Sequence, residues 1–201
     1  VKGSGKGVTK ERMEEQDQQD QNRRNEKQRS QWFDWVKTIG IALIAAYIIR
    51  SFLFSSYVVE GSSMEPTLQD GNLLLINKIG YTIGDIERFD VLVFHYNDKN
   101  DYVKRVIGLP GDHVVYKNDQ LLINEKPLPE PYLSELKEQS LGRLTGDIDQ
   151  IVPKGSLFVL GDNRRGSSDS RHFGFVPIDH VVGEVSLRFW PLNQFDFNFH
   201  S

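Results

Sequence analysis

The chain has 201 residues, a formal net charge of -4, 38% hydrophobic residues and no cysteine. That length fits one globular domain with appendages, and the lack of a basic excess argues against a nucleic-acid binder, which must neutralise phosphates. Without cysteine there is no disulfide, no thiol nucleophile and no cysteine-ligated zinc or iron–sulfur cluster.

Residues 1–31 are rich in Gln, Lys, Arg, Glu and Asp and nearly free of large apolar side chains. Such a segment cannot bury enough surface to offset its ordering entropy, so it reads as a polar tail. At Trp32 the composition changes. Trp32, Phe33, Trp35 and Lys37 resemble an interfacial belt, and the run from Val36 to Phe54 is apolar apart from Lys37, Thr38, Arg50 and Ser51. With Arg50 reaching the outer interface, the run approaches the roughly 20 residues needed to span a bilayer. A single transmembrane anchor helix over 32–56 is expected. Arg23, Arg24, Lys27, Arg29 and Lys37 precede or open the run, and after Arg50 the next basic residue is Lys78. Basic residues favour the inner side, so the tail is expected in the cytoplasm and the remainder outside the cell membrane.

Residues 57–201 read as a mainly antiparallel β domain. Short apolar runs at 73–76, 91–94, 102–107, 114–116, 120–123, 157–160 and 181–189 are punctuated by Gly, Asp, Asn and Pro. Lys117–Gln120 reads as a hairpin turn. One helical pattern, Tyr132 to Leu141, stands inside 124–153, a polar, proline-bearing stretch expected to be a mobile or inserted excursion from the core.

Two places carry chemistry. Gly61-Ser62-Ser63-Met64-Glu65-Pro66-Thr67 offers a serine on a turn bounded by Gly and Pro. Tyr102-Val103-Lys104-Arg105 offers a lysine among apolar residues. A serine hydroxyl is a weak nucleophile until a base takes its proton. A lysine serves as that base only when neutral, and burial favours neutrality. In an extended strand Tyr102, Lys104 and Val106 share one face, and Val103, Arg105 and Ile107 share the other. Arg105 cannot be the base, because a guanidinium stays charged. Either Ser62 or Ser63 could be the nucleophile on these grounds. His95, His113, His172, His180 and His200 fall at no metal-ligand spacing, so neither metal nor cofactor is expected.

The order of blocks is the apolar run, then Gly-Ser-Ser-Met-Glu-Pro-Thr, then Tyr-Val-Lys-Arg-Val-Ile-Gly-Leu-Pro-Gly-Asp, then Gly-Asp-Asn-Arg-Arg-Gly-Ser-Ser-Asp-Ser-Arg. This order resembles the bacterial type I signal peptidases from about Trp35 to Pro191. The resemblance implies a membrane-anchored Ser/Lys endopeptidase whose partners are the signal peptides of exported preproteins and the lipid bilayer. It puts Ser63 in the nucleophile position and Lys104 in that of the base. It makes Ser167 the hydroxyl that orients the lysine, pairs Asp162 with Arg105, and pairs Asp169 with Arg171 behind the site. Val59, Met64, Leu68 and Val103, with Tyr102 beside them, match substrate-pocket positions for the residue before the cut. Tyr57 matches a position two residues further back, and alanine is implied at both substrate places. One departure is Gly61, where some members carry a serine hydroxyl for the oxyanion hole. The hole then rests on the Ser63 N–H and a further donor that the sequence does not identify. The competing readings are a self-cleaving Ser/Lys regulator, similar around Gly-x-Ser-Met, and a non-enzymatic anchored β module.

Overall fold

A computed structural model describes residues 32, 35–47, 53–78 and 86–199, in two compact units, Val1–Arg50 and Ser51–Ser201. The expected tail, 1–31, lies outside the described residues, as do parts of the expected anchor. Within the first unit, residues 35–47 form a helix (α1), exposed almost throughout. Among the described residues no helix is long and apolar enough to cross a membrane.

The second unit is built on two antiparallel sheets. The first runs β1 (Phe54–Val58), β2 (Leu73–Asn77), β11 (Val181–Trp190), β3 (Val91–Asn97), β4 (Asn100–Gly108), β9 (Ser156–Leu160) and β10 (Val176–Pro177) in spatial order. The second runs β7 (Lys126–Leu128), β6 (Gln120–Ile123), β5 (His113–Lys117) and β8 (Ile148–Ile151). Each expected apolar run became a strand. The alternation is plainest in β2, where Leu74 and Ile76 are buried between half-buried neighbours. The turn after Lys117 takes Asn118 and Asp119 at φ 53° and 65°, the left-handed pair that a two-residue hairpin requires.

Two expectations change. The sequence predicts an anchor to residue 56, but Phe54, Ser55 and Ser56 belong to β1, paired with Asn77, Ile76 and Leu75. Strand pairing satisfies this backbone where the chain turns from apolar to mixed composition. The stretch 124–153 does not leave the core. It supplies β7, β8, a short 3-10 turn at Pro131–Leu133 and helix α2 (Ser134–Gln139). It also buries Glu130, Tyr132, Leu133, Leu144, Thr145 and Val152. Its polarity misled because its buried polar groups find partners elsewhere in the chain, Glu130, Tyr132 and Thr145 all bonding Arg164.

Among the described residues three apolar clusters hold the unit. One joins the second sheet to β9 through Ile107, Val114, Tyr116, Leu121 and Phe158. The second packs Val59, Met64 and Leu68 on Leu74, Ile76, Val91 and Val93. The third is Leu92, Phe94, Val106, Leu157 and Val159. The sheets meet at Gly108, where a Cβ would come within 2.6 Å of Val114 and 2.7 Å of Val152. Only glycine fits that approach.

Candidate active site

After β1 the chain turns at Gly61, whose φ is +89°. The Gly61 N–H donates to Asp70 Oδ1 at 2.7 Å, Glu65 N–H to the Ser62 carbonyl at 3.2 Å, and Leu68 N–H to the Met64 carbonyl at 2.9 Å. Met64 and Leu68 are 1% and 0% exposed and anchor this turn in the core. Ser63, between the exposed Ser62 and the buried Met64, is thereby held at the surface of a rigid element.

Strand β4 brings Lys104 to the same place. Its side chain is 3% exposed, and Nζ lies 2.8 Å from Ser63 Oγ and 2.8 Å from the Val103 carbonyl oxygen. The Tyr102 ring lies 5.2 Å from Nζ. Burial lowers the lysine pKa from 10.5 to about 8, against the carboxylates of Asp169 and Asp162, which hold it up. The neutral amine is therefore a minor form at pH 7 that grows toward pH 8 and above, which suits a general base working on the alkaline side of neutral.

Arg105 is wholly buried. It donates to Asp162 through Nε at 2.9 Å and Nη2 at 2.7 Å, and to the Phe89 and Phe199 carbonyls through Nη1. Thr67 Oγ1 donates to the same aspartate at 2.6 Å, so Asp162 ties the lysine strand to the serine turn. Such a planar two-point pair fixes geometry as well as neutralising charge.

Asp169 accepts from Arg171 through Nε and Nη2, both at 2.7 Å. It also accepts from Gly161 N–H at 3.0 Å and caps helix α3 (Ser170–Phe173) through Arg171 N–H. Burial alone would raise its pKa, but the Arg171 guanidinium and the Gly161 amide hold it below the usual value. Ser167 lies in the same loop. Its Oγ is buried beside the Asp169 carboxylate and makes no hydrogen bond to Lys104. It packs on Gly161, where a Cβ would fall 2.2 Å from Ser167 Oγ and 2.4 Å from the Ser63 carbonyl oxygen. Glycine is thus what lets this loop close onto the nucleophile turn.

A cleft of about 470 Å³ opens over Ser63 and Lys104, walled by Tyr57, Val59, Tyr102 and Val103, with Leu74 and Val93 at its base. Met64 and Leu68, expected to line it, lie beneath it in the core. Burial, with the Asp101 carboxylate beside it, pushes the Tyr57 phenol up. Among the described residues no group of three or more His, Asp or Glu is placed to hold a metal ion.

Other residues of the site were not singled out from sequence. Asn163 N–H donates to the Ser63 carbonyl at 3.1 Å, and its Nδ2 donates to the Ser62 carbonyl at 3.1 Å. Arg164, wholly buried, pairs with Glu130 at 2.6 Å. Asn163 and Arg164 stand inside the third motif and could have been flagged there. For Glu130 the only signal was an aromatic and a leucine following it in a proline-rich stretch.

A serine beside a buried, partly neutral lysine on a β scaffold is the arrangement of a hydrolase, and known proteins agree. The family described as signal peptidase, peptidase S26, matches residues 32–190. A signal peptidase I from Bacillus caldolyticus is 55% identical over 173 residues, covering 82% of this chain and 94% of the relative. A signal peptidase IB from Staphylococcus aureus is 44% identical over 179 residues, covering 83% and 94%. The crystal structure of a signal peptidase I from Enterococcus faecalis is 39% identical, covers 51% of this chain and 98% of its own, and superposes with a TM-score of 0.49. The family match over residues 32–190 and the 55% and 44% identity along most of the Bacillus and Staphylococcus enzymes place the chain: it belongs to the signal peptidase family, peptidase S26.

Proposed function

We propose that this chain is a membrane-anchored serine endopeptidase that removes signal peptides from exported preproteins, with Ser63 as nucleophile and Lys104 as general base. The observation that carries the assignment is the 2.8 Å contact between Ser63 Oγ and the buried Lys104 Nζ. Neutral Nζ accepts the Ser63 proton as Oγ attacks the scissile carbonyl carbon. The resulting ammonium gives that proton to the leaving amine, releasing the mature protein. A water then attacks the acyl carbon, its proton passes to Nζ, and the Ser63–acyl bond breaks with Oγ reprotonated. The Ser63 N–H supplies one hydrogen bond to the oxyanion. The Gly61 N–H is committed to Asp70 and is not the second donor.

Asp162 ties Arg105 of the lysine strand to Thr67 of the serine turn, while Asp169, holding Arg171 and the Gly161 N–H, closes the loop in which Ser167 packs on Gly161. The apolar walls Val59, Val103 and Tyr57 favour small side chains, so cleavage follows Ala-x-Ala-type sequences. The apolar run that opens at Val36 and ends before β1 is the anchor, with the tail in the cytoplasm and the β domain outside. The excess of basic residues before the run supports that orientation. Ser63 follows Phe54 after one strand and a turn, which suits a substrate whose own apolar segment remains in the bilayer.

The test is in vitro cleavage of a preprotein by wild type and Ser63→Ala side by side. Wild type is expected to release the mature protein and Ser63→Ala none; cleavage by both would reject the assignment. For topology, protease added to wall-less cells is expected to digest the β domain and spare the tail. Full protection of the β domain would reverse the orientation.

A further inference from the structure

The loop 162–164 grips three elements with three successive residues, the Ser63 carbonyl being held by the Asn163 backbone N–H. Asp162 holds Arg105 and Thr67, Asn163 holds the carbonyls of Ser62 and Ser63, and Arg164 reaches into the second sheet. Arg164 Nη1 donates to Tyr116 Oη at 2.9 Å and Thr145 Oγ1 at 3.1 Å, Nη2 to Glu130 Oε1 at 2.6 Å and Tyr132 Oη at 3.2 Å. Tyr132 belongs to the 3-10 turn Pro131–Leu133, in the segment that attaches to the second sheet.

Tyr132 touches both buried guanidiniums. Its hydroxyl donates to Glu130 at 2.9 Å and accepts from Arg164, while its ring lies 3.9 Å from the guanidinium carbon of Arg105. Phe89 packs edge-on against the same ring at 5.3 Å, and its carbonyl accepts from Arg105. Arg105 follows the proposed base, Lys104, and Arg164 follows Asn163, which clamps the proposed nucleophile. One side chain of the second sheet's appendage therefore contacts both the residue after the base and the residue after the clamp on the nucleophile.

We infer that Tyr132 is a positioning residue for the Ser63–Lys104 pair, setting the spacing of the two through Arg105 and Arg164. This rests on the dyad proposed above. A ring against one guanidinium and a hydroxyl on the other leave little slack. Misplacement of reacting groups by about 1 Å can cost on the order of a hundredfold in rate. Tyr132 does not line the cleft over the dyad, so its loss is expected to act on turnover and not on binding.

The test is preprotein cleavage by the full chain in detergent, with kcat expressed per folded molecule, the folded fraction coming from a denaturant melt. Tyr132→Leu removes ring and hydroxyl. Its kcat is expected to fall at least about tenfold with KM within about twofold. Tyr132→Phe keeps the ring on Arg105 and loses only the hydroxyl; kcat is expected to fall about two- to fivefold, a partial rescue. A purely structural residue would lower the folded fraction and leave kcat per folded molecule unchanged. Wild-type kcat in the folded Tyr132→Leu protein, or a loss confined to KM, overturns the inference. If Tyr132→Leu does not fold, Tyr132→Phe decides, and unchanged kcat there overturns it. Ser63→Ala in the same assay separates the two proposals, because its activity would remove the dyad itself.

Discussion

Lys104 Nζ stands 2.8 Å from both Ser63 Oγ and the Val103 carbonyl oxygen. A neutral amine satisfies both neighbours at once, accepting the serine proton on its lone pair and donating N–H to the carbonyl. An ammonium can only donate, and it then meets the serine as an acceptor. Both states fit these distances, and burial, by lowering the pKa to about 8, brings the neutral state within reach.

Ser62 and Ser63 separate cleanly on this geometry. Ser62 is exposed and its carbonyl is tied to Asn163, whereas Ser63 faces the lysine. Ser63→Ala and Lys104→Arg are each expected to lose activity by at least about a thousandfold. Lys104→Arg keeps charge but cannot become neutral. Ser62→Ala is expected to stay within about tenfold of wild type. An inactive Ser62→Ala beside an active Ser63→Ala, in a preprotein cleavage assay, would reverse the nucleophile assignment.

The same lysine weakens the fold. Its pKa, lowered by burial to about 8, means that between that value and its ordinary 10.5 the unfolded chain holds the proton more tightly than the folded one. Stability from this group therefore rises with pH across that window and is lowest below it. A shift of this size corresponds to roughly 3 kcal/mol. Lys104→Met is expected to raise stability at pH 7 by an amount of that order, with the gain shrinking toward pH 10.5. Denaturant melts at several pH values measure it; a destabilised Lys104→Met at pH 7 would contradict the burial cost.

Asp162→Asn leaves Arg105 charged, fully buried and without its ion pair. Removing one partner of a buried pair costs about 3–5 kcal/mol. Thr67 also loses a charged acceptor, so the serine turn loosens. Thermal melts should show the loss, and a melting temperature equal to wild type would remove Asp162 from the account.

The cleft walls make a substrate prediction. Replacing the alanine before the cut by phenylalanine is expected to lower kcat/KM by at least about a hundredfold if the side chain must fit between Val59, Val103 and Tyr57, which wall the cleft beside Ser63. Equal processing of alanine and phenylalanine substrates would show that the pocket lies elsewhere.

Much of this was legible in the sequence because it is local. The apolar runs mark β2 to β6, β9 and β11, and the motifs around Ser63 and Lys104 announce themselves as blocks. What stayed hidden depends on long-range pairing. β1 starts inside an apolar run that reads as anchor, and its strand identity comes from Leu73–Asn77. β8 is a short, largely exposed strand recognisable only by its pairing with β5. Glu130 and Tyr132 look solvent-facing in a proline-rich stretch, and their burial depends on Arg164, far along the chain. Met64 and Leu68 occupy motif positions, but their side chains serve the core beneath the cleft and not its wall.

The pH dependence of single-turnover preprotein cleavage tests the central claim most directly. With Lys104 as the base and its pKa at about 8, the rate rises with pH through that value and then levels as the neutral amine saturates. A rate that is flat across this range, or that falls as pH rises through it, would contradict Lys104 as the base that activates Ser63.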